Sequence, residues 1–268
     1  MLRNNLHYHK LGTGPNILLA FHGIGQTGIS CFQPLADHLA DYYTIYAFDL
    51  YFHGESNVSG FWAQNEIISK TEWYSTIASF LQENRIERFD VTGFSMGGRF
   101  TLATLELFPA NINSAFLIAP DGVSEHPLYT IASRSKPARS LFRWLMKNPS
   151  VFFKSADFLQ KTGLIHSSLY RFTQQVLNTP EKRRTIYNSW VCFRDFHFNI
   201  SSLYKLTQSQ NIDLLLFTGK FDKLLKPSAV DKLRKLLPEN KSMILQSGHT
   251  QLVEKVAYLI ATNVFFKP

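Results

Sequence analysis

Cysteine is scarce in this 268-residue chain: Cys31 and Cys192 are the only two, and they stand far apart. That excludes the dense disulfide framework of small secreted domains; two reduced thiols are expected, with a lone bridge as the alternative. Long apolar runs are missing too. No stretch of about 18 apolar residues occurs, and the opening MLRNNLHYHKLG lacks the apolar core of a secretory signal. The expectation is a cytoplasmic protein with no membrane span. Nor is there a Walker-type phosphate loop. Gly12-Thr13-Gly14 precedes an apolar run instead of following one, and it lacks the third glycine of a dinucleotide fingerprint. Cys192, Asp195 and His197 in CFRDFHF have no second cysteine nearby and no regular ligand spacing, so no metal is expected there. The reading is of a chain without cofactor or metal, and without internal repeats or low-complexity tracts.

What is present suits a folded protein with a substantial core. At 45% hydrophobic and 14% aromatic the chain can bury a sizeable core, and its length fits one large α/β domain or a domain with an insertion. The net charge of +8 is localised. Residues 121–205 hold thirteen Lys/Arg against five Asp/Glu, whereas the rest of the chain carries fifteen of each sign. Within that segment Arg134, Lys136, Arg139, Arg143 and Lys147 alternate with Phe142, Trp144 and Leu145. This reads as an amphipathic helix with a solvated basic face. The sharper alternative is weak attraction to an anionic membrane or to a carboxylate-bearing substrate. The charges are dispersed and no nucleic-acid module accompanies them, so nucleic acid is not an expected partner.

Short apolar runs recur, each closed by turn residues: NILLAFHG (16–23), TIYAFDL (44–50), FDVTG (89–93), SAFLIAP (114–120), DLLLFTG (213–219) and SMILQSG (242–248). Continuous apolar runs suit the central strands of a parallel sheet covered on both faces. Helical patterns lie between them. Ser69 and Glu72 have capping-box spacing ahead of Trp73, Ile77, Phe80 and Leu81. Pro227 and Ser228 open a helix bearing Val230, Leu233, Leu236 and Leu237, which Pro238 stops. The last helix shows Leu252, Val256, Leu259, Ile260 and Val264. This alternation is the α/β signature, with a mostly parallel sheet flanked by helices. Between Pro120 and Asp213 the rhythm fails: helical pieces occur, around Trp144, over 150–163 and over 167–178, but no convincing strand. The expected organisation is a core domain over 1–120 and 206–268, interrupted by a helical insertion at 121–205. Phe152, Phe153 and Phe158 are expected to give that insertion an apolar underside.

The stretch FDVTGFSMGGRF places Ser95 in a G-x-S-x-G turn between a strand and a helix, the setting of a nucleophile elbow. A serine needs a base, and the base needs an orienting acid. Of nine histidines, His249 fits best, just after a terminal strand and before the final helix. His7 and His9 near the start, His38 in an amphipathic helix, and His126, His166 and His197 in the insertion read as surface or packing residues. Two acids compete to orient His249. Asp222 lies three residues beyond Gly219, and Asp121 directly follows SAFLIAP, where PDG also reads as a turn. The spacing favours Asp222. Oxyanion donors are expected at the Ile24 N–H, in the glycine-bearing FHGIG, and at the Met96 N–H after the serine.

HGIG, FDLYFHGES, GFSMGG, FTGKFD and SGH, in that order, resemble the α/β-hydrolase superfamily, specifically its lidded serine hydrolases, which include esterases and carbon–carbon bond hydrolases. The resemblance covers nearly the whole chain. It implies a Ser95–His249–Asp222 triad, an oxyanion hole from Ile24 and Met96, a helical lid at 121–205, and a structural turn at Asp49 and His53. Relatives with aspartate at the elbow, the haloalkane dehalogenases and epoxide hydrolases, are set aside by Ser95. The implied activity is hydrolysis of an ester-type or carbon–carbon bond in a hydrophobic small molecule. The alternatives are an acyltransferase and a lidded ligand-binding receptor.

Overall fold

The continuously apolar runs become the interior of one sheet. The computed structural model describes residues 6–57, 60–125, 127–163 and 166–262. His126 and Val264, named above, lie outside the described residues. The strands are β1 (Tyr8–Leu11), β2 (Asn16–Phe21), β3 (Tyr43–Phe48), β4 (Phe89–Phe94), β5 (Ile112–Ile118), β6 (Asp213–Gly219) and β7 (Ser242–Leu245). They pair in the order β1-β3-β2-β4-β5-β6-β7. β1 runs antiparallel to β3 and every other pair is parallel. Side chains alternate between two cores. In β6, Leu214 and Leu216 enter one and Leu215 and Phe217 the other; β2 divides Leu19 and Phe21 from Leu18 and Ala20 in the same way. A strand buried on both faces therefore needs no polar alternation.

Helix α1 (Gly28–Leu39) and the last helix, α11 (Leu252–Thr262), cover one face. α2 (Lys70–Asn84), α3 (Gly97–Leu107), α9 (Ile200–Ser209) and the single turn α10 (Asp231–Arg234) cover the other. The Ser69–Glu72 capping box is formed, with Ser69 Oγ accepting from Glu72 N at 3.1 Å and Glu72 returning to Ser69 N at 2.7 Å. Trp73 is fully buried, and its indole N–H donates to Thr104 Oγ1 at 3.0 Å, joining α2 to α3.

Between β5 and β6 run α4 (Pro127–Arg134), α5 (Lys136–Lys147), α6 (Pro149–Lys161), α7 (Ser167–Leu177) and α8 (Pro180–Cys192). The boundary expected at residue 205 falls inside α9. That helix packs chiefly on α3 and α10. Two further expectations are corrected. The helix expected over 227–237 is a 3-10 turn at Pro227–Val230 followed by α10, with Leu236 and Leu237 beyond it but still packed on the core. β1 was not anticipated. Its YHKL is polar enough to pass for a tail, yet Tyr8 packs on Tyr46, Phe48 and Phe80 from the sheet edge.

The expectation of a fully solvated basic face is also corrected. Arg139 is buried: its Nη1 donates to the carbonyls of Ser133 and Arg134, each at 3.0 Å, and its Nη2 to Asn65 Oδ1 at 3.2 Å. Arg183 donates to the carbonyls of Met146 (2.8 Å) and Leu177 (3.0 Å), and Arg194 to those of Glu66 (3.0 Å), Asn65 (2.9 Å) and Val191. Most of these guanidinium bonds satisfy carbonyls that helix ends leave unpaired, and those from Arg194 to Asn65 and Glu66 tie down the loop before α2. The insertion's arginines thus partly serve as internal struts, and Lys136, Lys147, Lys154 and Lys161 remain at the surface.

Candidate active site

The elbow begins with close approach. A Cβ on Gly97 would stand 1.8 Å from the Phe21 carbonyl oxygen, and one on Gly93 would stand 2.4 Å from the Gly97 oxygen. Only glycine lets β4 turn into α3 this tightly against β2. Ser95 at the apex takes φ 53°, a left-handed conformation that non-glycine residues seldom adopt. Its backbone is tied on both sides: its N–H donates to the Ile118 oxygen at 3.0 Å, and its carbonyl accepts from Gly98 N (2.9 Å) and Asp121 N (2.8 Å). The side chain is thereby raised into a cleft at the C-terminal edge of the sheet.

His249 enters the same cleft from the loop after β7, where its ring packs on Phe94 at 4.7 Å. The run expected as strand up to Gly248 ends at Leu245, and the remaining three residues form this loop. Asp222 is buried and accepts from His249 Nδ1 at 2.6 Å. Its other oxygen accepts from the N–H groups of Leu224 and Leu225, both at 2.8 Å. Asp222 therefore holds the imidazole with the proton on Nδ1 and Nε2 as the acceptor nitrogen. Asp121 is engaged elsewhere. It receives Arg99 Nε at 2.6 Å and Arg99 Nη2 at 3.2 Å, and one of its oxygens also accepts the Gly122 N–H at 2.8 Å.

Ile24 lines the cleft, and Met96 directly follows Ser95, which lines it too. Among the described residues neither of their N–H groups donates to a protein acceptor. The Ile24 loop is held from beneath. Gln26 Oε1 accepts the Gly23 N–H (3.1 Å), and His53 Nε2 accepts the Gly25 N–H (3.1 Å). His22 Nε2 accepts the Leu50 N–H at 3.0 Å, and His22 Nδ1 donates to the Gly23 carbonyl at 2.7 Å. Asp49 accepts the Gly28 N–H at 2.7 Å and the Glu55 N–H at 2.9 Å. Burial lowers His22 to about 4. Burial, with the neighbouring His22, lowers His53 to about 3. Both rings are neutral, as their acceptor roles require. Cys31 and Cys192 are free, and burial pushes each thiol up to about 12, which makes them inert packing groups.

The outer wall of the cleft comes from Phe172, Gln175 and Val176 of α7 and Lys182 of α8. Of the three phenylalanines expected on the insertion's apolar underside, Phe152 and Phe153 pack on the core and Phe158 is 64% exposed. The spacing of Phe172 and Val176 on one helix face was the available signal for the outer wall. Gln26, three residues after Gly23, was the signal for the brace.

The chain belongs to the alpha/beta hydrolase fold family, whose model matches residues 16–256. It is thus a hydrolase of that fold, with a mostly parallel seven-stranded sheet among the described residues. It is 24% identical to Lipase 1 of Psychrobacter immobilis over 242 residues, covering 88% of this chain and 72% of the lipase. A thermophilic esterase from Thermogutta terrifontis superposes with a TM-score of 0.62 at 15% identity, covering 95% of this chain and 91% of the esterase. A meta-cleavage product hydrolase from Pseudomonas fluorescens gives 0.60 at 15% identity, covering 96% and 92% of the two chains. Among the described residues, no helix is long and apolar enough to cross a membrane.

The two buried imidazoles predict an acid limit. Their folded pKa values lie below the unfolded value of 6.5, so their contribution is complete above pH 6.5 and is lost as pH falls towards about 4 for His22 and about 3 for His53. Each should remove up to ~1.4 kcal/mol of stability per pH unit across its window. Urea unfolding followed from neutral to acid pH should show this decline, and His53→Gln should flatten it while lowering stability at neutral pH. An unchanged slope in that variant would contradict the assignment.

Proposed function

We propose that this hydrolase cleaves carboxylic esters of hydrophobic small molecules through Ser95, His249 and Asp222 and an acyl-enzyme intermediate. The observation that carries the proposal is the 2.6 Å contact from His249 Nδ1 to a buried Asp222, in the cleft into which the left-handed Ser95 projects. His249 Nε2 takes the Ser95 proton as Oγ attacks the carbonyl carbon. The Ile24 and Met96 N–H groups receive the negative oxygen. Collapse breaks the ester C–O bond, and His249 returns the proton to the departing alcohol. Water then repeats the sequence on the acyl-enzyme, releasing the acid and restoring Ser95. Among the described residues Ser95 Oγ has no hydrogen-bond partner, and nucleophile–base contacts of this kind tighten when substrate binds.

Fluorophosphonate should label the protein and fail to label Ser95→Ala. Asp222→Asn should lower kcat by ~10⁴-fold, because the imidazole then adopts the wrong tautomer. Asp121→Asn should keep most of the activity while weakening the Arg99 pair. The reverse pattern for the two aspartates would move the orienting acid to Asp121.

The cleft encloses about 140 Å³ between Phe94, Phe172 and Val176. That is near the size of an engineered apolar cavity of about 150 Å³ that admits benzene. A medium acyl group fits, and each buried CH₂ is worth ~0.8 kcal/mol. Specificity constants for p-nitrophenyl esters should therefore rise from acetate to hexanoate. Equal values would rule out the apolar acyl site.

The outer face of the insertion supports a second element of the proposal, that these helices act as a lid resting on an anionic lipid surface. Leu141 and Trp144 of α5 and Phe158 of α6 are at least half exposed, and the same two helices expose Lys136, Lys147 and Lys154. Apolar side chains rimmed by lysines suit an interfacial helix, and each cation adds about 1 kcal/mol near such a surface. The protein should sediment with phosphatidylglycerol vesicles and be released by high salt, and Trp144→Ser should weaken that association. Equal binding to neutral phosphatidylcholine vesicles, or none to either, would overturn this element.

A further inference from the structure

We propose that His7, His9 and Asp49, with Glu55 as the fourth ligand, form a binding site for a divalent transition metal of the zinc class. The site lies where edge strand β1 meets the turn after β3, away from Ser95 and His249. One ligand atom each from His7, His9 and Asp49 falls within a 4.8 Å cluster. His9 Nε2 stands 3.5 Å from Asp49 Oδ2, and His7 Nε2 stands 3.5 Å from Glu55 Oε1. Four ligands about 2.0–2.2 Å from a tetrahedral zinc lie about 3.3–3.6 Å from one another, so two edges of such a tetrahedron already have the right length. Among the described residues His9 Nε2 is buried without a hydrogen-bond partner, its nearest acidic neighbour being Asp49 Oδ2 at 3.5 Å. A bare imidazole nitrogen beside a buried carboxylate is what a cation would satisfy.

The surroundings are fixed in the manner of a metal site. His7 and His9, two residues apart on extended chain, project to one side. The His7 carbonyl accepts the Asp49 N–H at 2.9 Å, and the His7 N–H donates to Ser56 Oγ at 2.8 Å, which pins β1 to the turn. Asp49 is itself oriented by the Gly28 and Glu55 N–H groups. Outer hydrogen bonds of that kind hold ligand carboxylates in place. Calcium and magnesium prefer all-oxygen shells, so the two imidazoles select a zinc-like ion. Bound there, the metal would clamp the antiparallel edge strand to the turn that braces the Ile24 loop. Its role would be structural, with no part in bond cleavage.

The test is Zn²⁺ titration of the full chain by calorimetry, together with the visible spectrum of its Co²⁺ form. One Zn²⁺ per chain, a rise in thermal midpoint and the intense d–d bands of four-coordinate cobalt are expected. His7→Ala and His9→Ala should each weaken binding by more than about tenfold, and the double variant should lose the thermal shift. Circular dichroism of the metal-free variants checks that they fold, and Glu55→Gln, at an exposed position, perturbs the site without touching β1. No binding at millimolar Zn²⁺, or unchanged affinity in the folded double variant, would overturn the proposal. His249→Ala should leave the stoichiometry at one; loss of the zinc in that variant would assign it to the catalytic cleft and overturn the site at β1.

Discussion

The structure depends on how closely three backbones meet at the elbow. With no Cβ on Gly97, the first turn of α3 rests against the Phe21 carbonyl at the end of β2. Two residues before that contact Ser95 sits in the left-handed region, at a cost of about 1–3 kcal/mol that only an over-determined surrounding can sustain. The surrounding is visible: β5 accepts the serine's N–H, and its carbonyl accepts from α3 and from Asp121. The inserted helices therefore start from a hydrogen bond to the proposed nucleophile's own peptide. Elbow geometry and the position of the insertion cannot vary independently.

Arg99 reinforces the same coupling. Two residues after Gly97 it is 2% exposed, yet it spans from α3 to Asp121, the Phe196 carbonyl (3.0 Å) and Glu125 (3.4 Å), with the Tyr129 ring 4.2 Å from its guanidinium. A charge this buried is tolerated only when its donors are matched, and removing a partner from such a cluster typically costs about 3–5 kcal/mol. Both ends of the insertion, at Asp121 and at Phe196, are thus fastened to the helix that begins at the elbow. The helices between them are joined to each other by Arg139 and Arg183. Movement over the cleft would have to come from α7 and its neighbours, because the root is locked.

Strands β2 to β6 were legible in the sequence because burial on both faces leaves an unbroken apolar run with a turn residue at its end. That Ser95 and His249 share a cleft and that Asp222 meets His249 could be anticipated because each residue follows a strand within a few positions, although β7, before His249, is only partly buried. β1 was not legible, since an edge strand needs only one apolar face and Tyr8 is its main contribution. The helix that walls the cleft, α7, was not legible for a related reason. Phe152, Phe153 and Phe158 are as apolar as Phe172 and Val176, and composition does not say which helix face meets the core, the cleft or solvent. The buried arginines show the same limit for charge. Arg139 and Lys147 read alike in a list of cations, but a guanidinium can satisfy several carbonyls at once and an ammonium beside water has no need to.

The region beneath the cleft explains why two amides can remain unpaired above it. A loop free to relax would turn the Ile24 and Met96 N–H groups towards protein or water, because an unmet donor costs about 1–3 kcal/mol when shielded. Here relaxation is blocked from below. Gln26, His53 and Asp49 take the neighbouring N–H groups of Gly23, Gly25 and Gly28, and His22 fastens the loop to Leu50. Satisfying all the amides around Ile24 holds its own N–H in place without an acceptor. A developing oxyanion is the group that would complete it, and donors fixed in advance need no reorganisation when the charge appears. The neutral, acceptor-bearing state of His22 and His53 is part of that arrangement, so the burial that lowers their pKa values also preserves the geometry of the proposed oxyanion site.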